Sequence, residues 1–302
     1  MGEFSKRLGD IGEKVIIDFL KSIGWFDPQR NIDIVSIDEE HRKNSNGLDG
    51  LFHYVNPMIS NSVVVVHYSS KYSKNPYPSS LVKDFKGHYT DLVKTIESYK
   101  KSEQNQELQT NSDNIDTFFY RGILFWLNNA ESENDDLISR LNKIELNTGV
   151  VHDGVFLVDN KRILFIYDAI NYMKINFPVG DYKVEFIYFL SGLNAGDGNL
   201  RSGSILPIEY INGSILPIIA RKGNETTVVL FSIDSFSKDD LLKLFGIANT
   251  IGNNTQGSTL LCFYDYKESE HLPLVENAKQ SFGNSDFTRN LKVDRFPYGL
   301  LK

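Results

Sequence analysis

The sequence predicts an α/β fold: a mixed sheet flanked by helices, followed by a smaller C-terminal α/β region. Apolar residues recur at three-to-four spacing over residues 5–23 and again over 81–101, the period of an amphipathic helix. Between them lie three successive runs of strand character, 31–38, 47–54 and 63–71. Beyond residue 205, strand-like and helix-like runs alternate, the pattern of a layered α/β unit.

Taken in order, the first helix carries Leu8, Ile11, Val15, Ile16, Phe19, Leu20 and Ile23 on one stripe, with Ser5 to cap it and Gly24 to stop it. NIDIVSID alternates polar and apolar residues as a half-buried strand does, GLDGLFHY follows a polar turn, and the valine-rich third strand ends at Lys71. Pro78 and Ser80 open the second helix, whose stripe is Leu81, Phe85, Tyr89, Leu92, Val93, Ile96 and Tyr99. The polar tract 103–114 is expected to be an exposed loop. FFYRGILFWL and DGVFLVD follow as strands, ILFIYDAINYMK as a helix or strand, and YKVEFIYFL as a strand rich in β-branched and aromatic residues.

The Gly/Asn/Ser run at 191–204 is the clearest change of composition and predicts a linker. The expected organisation is therefore a domain over 1–190, a linker or loop over 191–204, and a C-terminal α/β domain over 205–302. In that last part SILPIIAR, TTVVLFSI and STLLCFYDY read as strands, with helices over 237–251 and 272–282, and the order suggests a small parallel layer suited to docking a partner.

Composition bounds the function. At 302 residues, 41% hydrophobic and 24% charged, the chain can bury a substantial core. A net charge of -7 argues against coating nucleic acid through an overall field, yet leaves room for a local basic patch. One cysteine, Cys262 in an apolar run, excludes an internal disulfide and fits a reducing cytoplasm. Neither a secretion leader nor a membrane span is expected. The GDGNLRSG stretch lacks the spacing of a phosphate-binding loop. Four of the six histidines, His41, His53, His67 and His88, fall within 48 residues, but without the spacing of a zinc site.

Phosphodiester hydrolysis needs converging oxygen ligands for a divalent cation and a nearby ammonium group to orient water and stabilise charge. Asp49, at the start of one predicted strand, and Lys71, at the end of the next, supply such a pair if the strands are neighbours. From Lys71 to Lys101 there are seven lysines against three acids, interleaved with tyrosines, a local positive surface able to follow a phosphate backbone. Lys74 is the foremost phosphate contact in this reading, with Lys86 and His67 beside it.

The element order, together with NGLDGLFHYVNP, SSKYSKNPYP and FKGHYTDLVKTIE, resembles the PD-(D/E)xK nuclease superfamily, and within it the nuclease subunits of bacterial anti-phage defence systems. The resemblance spans roughly residues 8–130. It implies a restriction-endonuclease-like core and a nuclease using Mg2+ or Mn2+. The expected substrate is DNA before RNA, and the expected partner is a protein subunit or a second copy. It also implies roles: Glu13 as the helix glutamate, Asp49 as the metal-binding aspartate and Lys71 as the lysine. The sequence departs from the pattern at Ser69, where an acid is usual. Glu13, or an acid of the following helix (Glu97, Asp91 or Asp84), is expected to compensate. If none does, the fold has become an inactive sensor or scaffold.

Overall fold

Val63, Val64, Val65 and Val66 are all buried because their strand is the middle one of a five-stranded sheet. The computed structural model describes residues 3–35, 45–129, 137–146, 149–189, 201–252 and 257–297. It divides into two units, Met1–Ile163 and Leu164–Lys302.

In the first unit, α1 (Glu3–Ser22) precedes β1 (Gln29–Val35), β2 (Ser45–Val55) and β3 (Ser62–Ser73). Then follow α2 (Leu81–Lys100), α3 (Glu103–Thr110), β4 (Thr117–Asn128), α4 (Leu137–Leu141) and β5 (Val155–Val158). The strands lie in sequence order. β1, β2 and β3 are antiparallel neighbours, whereas β4 and β5 run parallel to β3, the long α2 segment making the crossover that a parallel pair requires. Alternation along β4 sends Leu124 and Trp126 into the core under α2, where they meet Phe85, Leu92 and Ile96. Phe125, one residue out of phase, meets Phe19 of α1 edge-on at 6.1 Å. Both faces of the sheet are thus covered.

The tract expected as a loop contains α3. Its helix is held by polar side chains rather than by an apolar stripe, which is why composition missed it. Ser102 caps it by accepting the Asn105 amide at 3.3 Å, and the Tyr120 hydroxyl of β4 donates to Asn105 Oδ1 at 2.8 Å.

The division between units falls inside α5 (Asn160–Asn176), earlier than the composition change at 191–204. The reason is pairing: β6 (Lys183–Tyr188) belongs to the second sheet, where it lies antiparallel to β8 (Ile215–Lys222). Residues 190–200 lie outside the described residues, and 201–203 form the short strand β7 (Arg201–Gly203) on β6.

The second unit continues with α6 (Ile208–Ile211), β8, β9 (Glu225–Ser232), α7 (Lys238–Gly252), β10 (Ser258–Phe263), α8 (Glu268–Ser281), α9 (Ser285–Arg289) and β11 (Leu291–Arg295). Its strand order is β11-β10-β9-β8-β6-β7. The layer is mixed rather than parallel throughout. β9, β10 and β11 are parallel, but Gly223 and Asn224 close a tight antiparallel hairpin between β8 and β9, with Gly223 at φ 57°. Cys262 is buried in β10. Among the described residues no helix is long and apolar enough to cross a membrane.

Candidate active site

The site forms where β2 skips one pair with β1 and its ladder with β3 ends. On one side the register passes from Arg30–Gly50 to Ile32–Leu48 without a pair at Asn31 and Asp49, and Asn31 adopts φ 51°. On the other side the β2–β3 ladder ends at Gly50–Tyr68. A backbone amide released from a ladder still needs an acceptor. For Ser70 that acceptor is Asp49, whose Oδ2 takes the Ser70 N–H at 2.5 Å and the Ser69 hydroxyl at 3.3 Å. The aspartate is thereby fixed at the mouth of the splayed strands, a place where bulges and broken ladders commonly aim side chains outward.

Lys71 stands two residues further along β3 from Ser69 and pairs with Trp126 of β4. It is partly buried and bears on His88 of α2, whose ring meets Trp126 edge-on at 5.4 Å. Burial, and then the Lys71 charge, hold the His88 pKa below the usual histidine value, while Asp84 and Asp91 pull the other way. These two helix acids therefore flank His88 on α2.

Glu13 approaches β3 from α1, on the face of the sheet that carries Tyr68 and Tyr72. A Cβ at Gly12 would lie 2.7 Å from Tyr72 Cβ, so only glycine lets the helix backbone approach β3 this closely. The next residue, Glu13, is exposed. It lies within electrostatic reach of Tyr68, as do Arg30 and Asp49. Burial foremost raises that phenol to about 12; Arg30 opposes the rise, and Asp49 and Glu13 add to it. The Tyr68 hydroxyl is buried and has no hydrogen-bond partner among the described residues.

Glu97 pairs with Lys101 at 3.2 Å in the last turn of α2, about 13 Å along the axis from His88 at the usual helical rise. Tyr99, two residues on, packs on His67 in the middle of β3 and on Tyr120 near the start of β4. His67 cannot touch nucleic acid, because it is 0% exposed beneath α2 with its ring 4.7 Å from Tyr99. Burial foremost pushes its pKa down to about 3, with the backbone of Arg121 and Val65 opposing the fall and the Lys100 charge adding to it. Alternation along a valine-rich strand was the signal that could have placed it inside. Lys74 is exposed just beyond β3 and Lys86 is exposed on α2. Arg30, which sequence reasoning missed, is exposed on β1 opposite Gly50. His41 lies outside the described residues.

The donor set is one of hard oxygen ligands. Asp49 and Glu13 both bear electrostatically on Tyr68, and the chain's single thiol is buried in β10, in the other unit. Carboxylates suit Mg2+ or Mn2+ rather than a soft metal. Among the described residues no group of three or more His, Cys, Asp or Glu converges as a ready-made metal cage. A cation here would be held by one or two carboxylates, with water and substrate oxygens completing its shell, as Mg2+ commonly is.

A five-stranded mixed sheet between helices, with an aspartate and a lysine on neighbouring splayed strands and a glutamate on the first helix, defines a PD-(D/E)XK nuclease domain. The family model for the GAPS4 protein PD-(D/E)XK nuclease domain matches residues 1–162, more than half of the chain, and the protein belongs to that family. The match ends beside the division between the two units. A search of curated proteins finds no match.

Proposed function

We propose that the protein is a metal-dependent nuclease that hydrolyses phosphodiester bonds, DNA in preference to RNA, in defence against phage. The observation that carries this reading is the Asp49 carboxylate pinned by Ser69 and Ser70, the two residues before Lys71. Asp49 and Glu13 would hold Mg2+ or Mn2+, and Lys71 would orient the attacking water. A bound divalent cation supplies an acidified water and neutralises charge growing on the phosphate. The ammonium group of Lys71 stabilises that charge, and Lys74 and Lys86 hold the flanking backbone. The second unit would dock a regulatory partner or a second copy, since an uncontrolled cytoplasmic nuclease harms its own cell.

One observation favours a second reading, an inactive sensor or scaffold. Ser69 occupies the usual acidic position, and no cluster of three metal-binding side chains exists among the described residues. Incubating the protein with plasmid, linear duplex and transfer RNA, in Mg2+ or in EDTA and with or without the products of adjacent genes, separates the readings. Cutting that requires Mg2+ supports the nuclease. Metal binding without cutting under every condition supports the scaffold.

A further inference from the structure

Arg30, Gly50 and Tyr68 stand in one row across three strands, since Arg30 pairs with Gly50 and Gly50 with Tyr68. Directly paired residues on adjacent strands present their side chains to the same face. Glycine therefore leaves a gap between the arginine and the tyrosine, and Tyr68 fills it: a methyl group at Gly50 would collide with the phenol ring and its hydroxyl. The tyrosine is 3% exposed, and its hydroxyl has no partner among the described residues.

Arg30, by contrast, is exposed, and it forms no ion pair with any described residue. Asp49 takes its two hydrogen bonds from Ser69 and Ser70 rather than from Arg30. The next residue, Asn31, carries the left-handed backbone that breaks the β1–β2 ladder opposite Asp49. Such an irregularity re-aims neighbouring side chains. A permanently charged, forked donor matches a carboxylate or a phosphate, and on a nuclease the phosphate backbone is the ligand at hand.

We propose that Arg30 contacts a non-scissile phosphate of the bound nucleic acid on the β1 side of Asp49, with Tyr68 as the positioning residue that walls the gap behind it. This rests on the nuclease reading. It adds a third backbone contact on the opposite flank of the site from Lys74 and Lys86.

The test is fluorescence anisotropy of a labelled DNA duplex and a labelled RNA hairpin with the full chain in EDTA, where binding is read without cleavage, across 50–200 mM salt. Arg30→Gln is expected to weaken binding about fivefold to tenfold at the lowest salt and to flatten the plot of log K against log salt by about 0.9, one phosphate contact. Arg30→Lys is expected to restore most of the slope. Tyr68→Leu, which removes the ring that walls the gap, is expected to lower affinity about twofold with the slope unchanged. Thermal melts confirm folding of each variant. Arg30→Gln binding with wild-type affinity and slope, while Lys74→Ala binds more weakly, overturns the proposal and leaves the nuclease reading standing. Failure of the wild type to bind either nucleic acid overturns both.

Discussion

The carboxylate of Asp49 accepts the backbone N–H of Ser70 at 2.5 Å, so the residue proposed to hold the metal also closes the gap between β2 and β3. Structure and chemistry are separable there. Asp49→Asn keeps an acceptor for the amide and is expected to melt within about 1 kcal/mol of wild type. Asp49→Ala leaves the amide unsatisfied and is expected to lose about 1–3 kcal/mol. Both should lose metal-dependent cutting, and urea unfolding beside a cleavage assay checks the pair.

Ser69 lies 3.3 Å from the same carboxylate, close enough for an acid there to share a cation with Asp49. Ser69→Asp is expected to tighten Mg2+ binding by roughly tenfold, because affinity follows the number of charged ligands. In the absence of metal it should lower the melting temperature through repulsion of like charges. Isothermal titration and melts with and without EDTA measure both effects.

Gly12 touches Tyr72 with no room for a side chain. Gly12→Ala is expected to lift α1 from β3 and cost about 1–3 kcal/mol, as overpacked sites do, despite alanine's better helix propensity. Glu13 should move with the helix. A loss of Mg2+ affinity larger than that of an exposed control, Lys14→Ala, is the expected signature.

His67 gives the fold an acid-sensitive core. Its pKa falls from 6.5 to about 3 on folding, so between those values the unfolded chain binds the additional proton. Its contribution is complete above pH 6.5 and declines at about 1.4 kcal/mol per pH unit as the pH falls through that window. His67→Phe removes this dependence and keeps a ring against Tyr99. Urea unfolding at pH 7.5 and 5 is expected to show a smaller drop for the variant than for wild type. An equal drop would assign the acid sensitivity to other groups, His88 and His152 among them.

The periodic segments were legible in the sequence. The α2 stripe and the three successive strands follow from burial patterns that the chain states locally, whereas of the α1 stripe Ile16, Phe19, Leu20 and Ile23 are buried but Ile11 and Val15 are exposed. What was not legible depends on partners distant in sequence. The helix at 103–110 is secured by Tyr120, the Ser70 amide by Asp49, and the row from Arg30 through Gly50 to Tyr68 exists only once three strands align. His67 was misread because a histidine in a sequence suggests solvent and chemistry, whereas its place in the valine strand commits it to the core. The β8–β9 hairpin was announced by Gly223-Asn224 between two strand-like runs, yet alternation of strands and helices drew the reading toward parallel order.

The central claim is that Asp49 and Lys71 act together on one phosphodiester. Single-turnover cleavage in Mg2+ by wild type, Asp49→Asn, Lys71→Met and the double variant measures it most directly. The account predicts that each single variant loses at least about a hundredfold in rate and that the double variant is scarcely slower than either, because the two groups work as a unit. Cutting by Lys71→Met and Asp49→Asn at the wild-type rate would contradict it and place the chemistry elsewhere in the chain.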